Sequence, residues 1–142
     1  MLCKEFQFGD WCCNKHGFPM QITNVGKDYA YATFEGNEGD PWEFNDKDDQ
    51  PKPIKITRDI LKKNGWIERP LILSWDSSVL TYYFIKDEGD THLEFKRDTL
   101  TIWFNYETGN YLDIAIPVIY VHQLQQVLRL AGITEMANNF KI

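Results

Sequence analysis

In the second half of the chain, apolar and polar residues alternate with a period of two. Leu93 and Phe95 stand against His92, Glu94 and Lys96, and Leu100, Ile102 and Phe104 stand against Thr101, Trp103 and Asn105. Successive side chains on a strand point to opposite faces, so this pattern predicts strands buried on one side only. Glu107-Thr108-Gly109-Asn110 reads as a hairpin turn leading into a further strand, Tyr111 to Ile116. Upstream, Leu71 to Leu73 and Val79 to Ile85 read as strands, followed by the turn Glu88-Gly89-Asp90. Together these segments predict an antiparallel β-meander that Pro117 brings to an end.

Ile119 to Leu130 changes the period. Tyr120, Val121, Leu124, Val127, Leu128 and Ala131 recur at helical spacing, His122, Gln123, Gln125, Gln126 and Arg129 lie mostly outside that stripe, and Gly132 is a helix stop. The stripe is expected to pack on one face of the meander, with His122 as a surface or capping side chain and the tail Thr134 to Ile142 loosely held. A shorter helix is expected from Arg58 to Asn64, capped by Thr57 and stopped by Gly65. The first part reads as short strands: Phe6 to Phe8, Trp11 to Cys13, Met20 to Val25 and Tyr29 to Phe34. Their spacing suggests an SH3-like small β-barrel or a curled sheet. The expectation is one α+β domain over residues 1–142, with a β-rich part at 1–50 and the helix, meander and C-terminal helix at 51–142.

Aromatic residues make up 15% of the 142, which excludes a chain too poor in apolar groups to fold. No apolar run approaches the roughly 18 residues that cross a bilayer, and the longest, Ile114 to Val121, contains Pro117. Neither a secretory leader nor an even cysteine set is present, so a cytoplasmic protein with reduced thiols is expected.

Charge is concentrated in one place. The net charge is −6, and residues 35–49 alone hold Glu35, Glu38, Asp40, Glu43, Asp46, Asp48 and Asp49 against Lys47. Residues 52–63 then carry Lys52, Lys55, Arg58, Lys62 and Lys63 against Asp59. The polar excursion 35–53 also contains Trp42 and Phe44, large rings that either pin the loop to the body or await a partner. The expected partner-contacting residues are Trp42, Phe44, Asp46, Asp48, Asp49, Lys62, Lys63 and Trp66.

Three stretches look familiar together: Pro51-Lys52-Pro53-Ile54-Lys55-Ile56-Thr57, Ile60 to Trp66, and Tyr120 to Gln125 with Leu128 to Ile133. With Gly9-Asp10-Trp11, the set resembles a group of small uncharacterised proteins from gut Bacteroidetes and their phages or mobile elements. The resemblance spans most of the chain and implies a bacterial or phage cytoplasmic setting. It supplies no catalytic residue.

Chemical motifs are sparse. Cys12, Cys13 and His16, with Cys3 as a fourth ligand, offer a zinc set, but adjacent strand cysteines point to opposite faces. Asp87, Glu88, Asp90, His92 and Glu94 form a charged hairpin in which Asp90, His92 and Glu94 are the candidate ligands of a metal-dependent hydrolase. Ser77 and Ser78 lack a nucleophile elbow, and no phosphate-binding loop occurs. Lys52, Lys55, Arg58, Lys62 and Lys63 with Trp66 suit nucleic acid, yet the neighbouring acidic run would repel its backbone. The leading expectation is a non-enzymatic protein-binding or accessory protein without a cofactor, with homo-oligomerisation left open. A metal-dependent hydrolase and a small nucleic-acid module are the alternatives.

Overall fold

Alternation and helical spacing produce sheets and short helices in the expected order. The computed structural model describes residues 2–45, 47–72, 80–109 and 112–142. Among them the chain forms strands β1 (Trp11–Cys13), β2 (Pro19–Val25), β3 (Tyr29–Thr33) and β4 (Trp42–Asn45), then helix α1 (Arg58–Lys63). Strands β5 (Ile67–Ile72), β6 (Leu80–Glu88), β7 (Thr91–Lys96), β8 (Thr99–Phe104) and β9 (Leu112–Pro117) follow, then helices α2 (Val121–Leu130) and α3 (Thr134–Asn138). The fold is α+β: antiparallel sheets with three short helices. Among the described residues no helix is long and apolar enough to cross a membrane. Two compact units are present; one holds residues 1–56, 120–140 and 142, the other residues 57–119 and 141.

The first unit contains a four-stranded sheet in the order β1-β2-β3-β4. Its inner face buries Cys12, Met20, Ile22, Ala30, Ala32 and Phe44, with Phe6 packed in and Trp42 against the cluster. Phe6 to Phe8 does not form the expected strand; it follows a single 3-10 turn, Leu2–Glu5. Residues 35–53 are not loop throughout, because Trp42 and Phe44 alternate on β4 and face Ala32 and Ala30. No closed barrel is found among the described residues. The chain after β4 makes one isolated bridge to β1, Cys13 to Lys52.

Helix α2 belongs to this first unit and contacts β1, which corrects its expected place on the meander. The reason lies in Gly9-Asp10-Trp11. Asp10 is fully buried and accepts hydrogen bonds from the Gln7 N–H (2.8 Å) and Gln126 Nε2 (2.7 Å), and Arg129 Nη1 pairs with its other oxygen. Gln125, also fully buried, donates to the carbonyls of Gly9 and Ala137 (3.0 Å each) and accepts from the Trp11 N–H (2.9 Å). These residues lay on the polar side of the sequence pattern, but the buried groups of Asp10 and Gln125 all find partners, which makes their burial tolerable. Trp11 Nε1 donates to the Phe140 carbonyl at 2.6 Å, so the tail is held, with Ala137 and Phe140 buried.

In the second unit each strand from β5 to β9 pairs antiparallel with the next. Phe84, Leu93, Phe95, Leu100 and Ile102 are buried on one face, as alternation requires. Lys96 and Thr99 pair across a two-residue turn in which Arg97 and Asp98 both take positive φ, 50° and 58°. Thr57 caps α1, its Oγ1 accepting from the Ile60 N–H at 3.2 Å. Both α1 and α2 end the same way. The Gly65 and Trp66 N–H groups donate to the Lys62 and Leu61 carbonyls, and the Gly132 and Ile133 N–H groups donate to those of Arg129 and Leu128. The expected strand residue Leu73 and the candidates Ser77 and Ser78 lie outside the described residues, as does Asp46.

Candidate functional site

Two of the expected contact residues belong to the interior. Phe44 is fully buried in the first unit's core, and Trp66 is 3% exposed. Neither ring is available to a partner, because strand alternation turns Phe44 inward and the C-terminal stop of α1 seats Trp66 beside buried Leu61. Trp42 is half-buried, and its Nε1 donates to Asp49 Oδ2 at 2.9 Å. That bond pins the acidic loop. Asp48 is exposed, with its N–H on Asn45 Oδ1 at 2.7 Å. Lys62 and Lys63 are exposed in the second unit. Lys62 and Arg58 both pair with Glu68, at 3.2 and 2.5 Å, and Arg58 also lies 4.9 Å over the Tyr82 ring. Burial pushes the Glu68 carboxyl up, but the hydrogen bonds and charges of Arg58 and Lys62 outweigh it and hold it below the ordinary value. Two cations of the expected basic patch are thus already engaged.

The metal candidates are not gathered. Among the described residues no three His, Cys, Asp or Glu side chains are grouped to hold an ion. Cys12 is buried and Cys13 half-buried, and the two lie at successive strand positions. Burial raises the Cys13 thiol pKa despite the nearby Lys52 charge, which disfavours the thiolate that zinc or a nucleophile requires. The Cys3 side chain lies outside the described ones. In the second unit His92 Nδ1 meets Asp87 Oδ1 at 2.5 Å, and the ring stacks on Tyr106 at 4.6 Å. Asp90 instead accepts from the Glu107 N–H at 3.1 Å. His122 is buried between the Phe6 and Tyr120 rings rather than on the surface.

The residues that do converge are Phe18 and Phe34, neither of which was among the expected contact residues. Phe18 immediately precedes β2 and Phe34 immediately follows β3. Because β2 and β3 are antiparallel, both rings stand at one end of the hairpin, 59% and 43% exposed. Both line two cavities of the first unit. The larger, about 550 Å³, is also lined by Trp11, Gln21 and Thr33, which sit in register across β1, β2 and β3, and by Glu35 and Glu38. The smaller, about 260 Å³, is lined further by Asn14, His16, Met20, Asn37, Asp40 and Trp42. Among the described residues no lysine or arginine lines either one.

Local turns fix the acidic rim. The Phe34 N–H donates to Asn37 Oδ1 (2.7 Å), the Gly36 N–H to Glu38 Oε2 (3.0 Å), and the Asp40 N–H to the Asn37 carbonyl (2.9 Å). The alternation Trp42-Glu43-Phe44 and the paired phenylalanines flanking the β2–β3 hairpin were the available sequence signals. No family model, curated protein or solved structure matches this chain.

Proposed function

We propose that this chain is a non-enzymatic binding protein whose first unit receives a basic segment of a protein partner. One observation carries the reading: two exposed phenylalanines shared by two adjacent cavities, rimmed by Glu35, Glu38 and Asp40 with no lysine or arginine among the described residues of either lining. Burying one such ring contributes about 1.5–3 kcal/mol. The carboxylates add attraction for cations that salt weakens, and they favour a basic partner over an acidic one. The larger cavity falls in the size range of ligand-binding clefts. We read the supporting sheet as curled and SH3-like. The irregular register between Ile22 and Asn24 and the Cys13–Lys52 bridge support that reading.

The test is fluorescence anisotropy with labelled peptides that alternate lysine or arginine with leucine, measured at low and high salt. Binding that weakens with salt and is lost in Glu35→Lys/Glu38→Lys is the expected result. Equal affinity for the charge-reversed variant, or no binding at low salt, overturns the proposal.

A further inference from the structure

Building on that reading, we propose that the smaller cavity is a recognition site for an N-alkylated ammonium group. Its lining combines three aromatic side chains, Phe18, Phe34 and Trp42, with one carboxylate, Asp40. Aromatic faces attract cations through their quadrupole, and rings gathered around one space are the usual means of holding a quaternary ammonium. A volume of about 260 Å³ suits a head group better than a whole ligand.

The polar lining selects among cations. A primary ammonium brings three N–H donors and a guanidinium five, and each donor needs an acceptor once it is desolvated. The cavity offers few free acceptors beside the His16 ring: one amide oxygen is filled and the other half-filled. Asn14 Oδ1 accepts from the N–H groups of His16 (2.9 Å) and Phe18 (3.0 Å), and Asn37 Oδ1 accepts from that of Phe34. Among the described lining residues Asp40 is then the one carboxylate. Methylation replaces donors with apolar surface, so a trimethylated head asks nothing of those amides while keeping its charge for the rings and Asp40. This chemistry occurs on methylated lysine in a protein and on free choline-like molecules.

The experiment follows the Trp42 indole N–H resonance, already fixed by Asp49, during titration with three probes. They are choline, its neutral isostere 3,3-dimethylbutanol, and a basic peptide with and without a trimethyllysine. Choline is expected to bind roughly tenfold tighter than the neutral isostere, the cation–π difference for a partly desolvated site. Phe18→Ala and Asp40→Asn, both exposed positions that leave the core intact, should each weaken choline. Equal binding of choline and the isostere overturns the inference. Choline binding without any peptide binding sustains the cation site and removes the protein-partner reading. Salt-sensitive binding of the unmodified peptide with no response to choline or trimethyllysine removes the cation site alone.

Discussion

Replacing Arg129 with methionine tests the joint between the first sheet and α2. Asp10 has no exposed surface, and its oxygens meet one cation, Arg129, and two neutral donors, the Gln7 N–H and Gln126 Nε2. Arg129→Met keeps the stem that packs on the helix and leaves an ionised carboxylate buried with only the neutral donors. Breaking a buried pair from one side costs about 3–5 kcal/mol. Against a total stability of about 5–15 kcal/mol, that is a large share. For a chain of this size the midpoint of thermal unfolding should fall by roughly 10–15 °C. Asp10→Asn keeps an oxygen for Gln126 and the Gln7 N–H, and its cost falls on Arg129, whose side chain is 15% exposed against none for Asp10. It should therefore be the milder variant. The double variant should cost well below the sum of the singles, because the second change removes a charge already stranded. Urea unfolding followed by circular dichroism, with the slope checked for constancy, gives all three values. A loss under about 1 kcal/mol for Arg129→Met, the level of a surface pair, would refute the reasoning, as would strict additivity.

Three further outcomes follow. Burial pushes the His122 imidazole below 6.5 despite the charges of Asp10 and Glu5, so the unfolded chain takes up the proton first. Stability should hold above that value and fall as pH drops through it toward the lower folded pKa, and His122→Phe should flatten the slope in unfolding measured across that range. Phe44→Ala should cost about 3–5 kcal/mol in urea unfolding, as a core ring does, whereas a partner-contact ring would leave stability unchanged. Asp98→Gly should stabilise by at most about 0.5 kcal/mol in the same assay, because φ of 58° costs a residue with a Cβ more than glycine, although aspartate tolerates it better than most.

Strands were legible wherever one face is buried and the other wet. β3 keeps Ala30 and Ala32 inside, as its alternation implies, and β7 and β8 do the same with Leu93, Phe95, Leu100 and Ile102. Helix ends were legible because Thr57, Gly65 and Gly132 each satisfy backbone groups that the helix leaves open. The partner of α2 was not. Its polar residues include Gln125 and Arg129, and beside the nearby Ala137 and Asn138 their partners are Asp10, Gly9 and Trp11, more than a hundred positions away. The Arg97–Asp98 turn was silent because it lacks the glycine that usually marks a two-residue turn with positive φ. Trp42 was singled out and does line a cavity, but Phe18 and Phe34 gain meaning only once the hairpin brings them to one end. Trp66 and Phe44 misled because charged neighbours in sequence say nothing about the direction of a ring.

The first unit is closed by residues that leave the ribosome late. Bonds such as Trp11 Nε1 to the Phe140 carbonyl span 129 positions, and the intervening unit starts and returns beside the pairing of Lys55 with Tyr120. At about 5–20 residues per second, the early sheet waits on the order of ten seconds with Asp10 unpaired before its helix is made. The chain is thus an insertion architecture, in which one body must form while the other stands half-built. A short turn joining Lys55 to Tyr120 should release the first from that delay, since shortening a loop lowers the entropy of closing it.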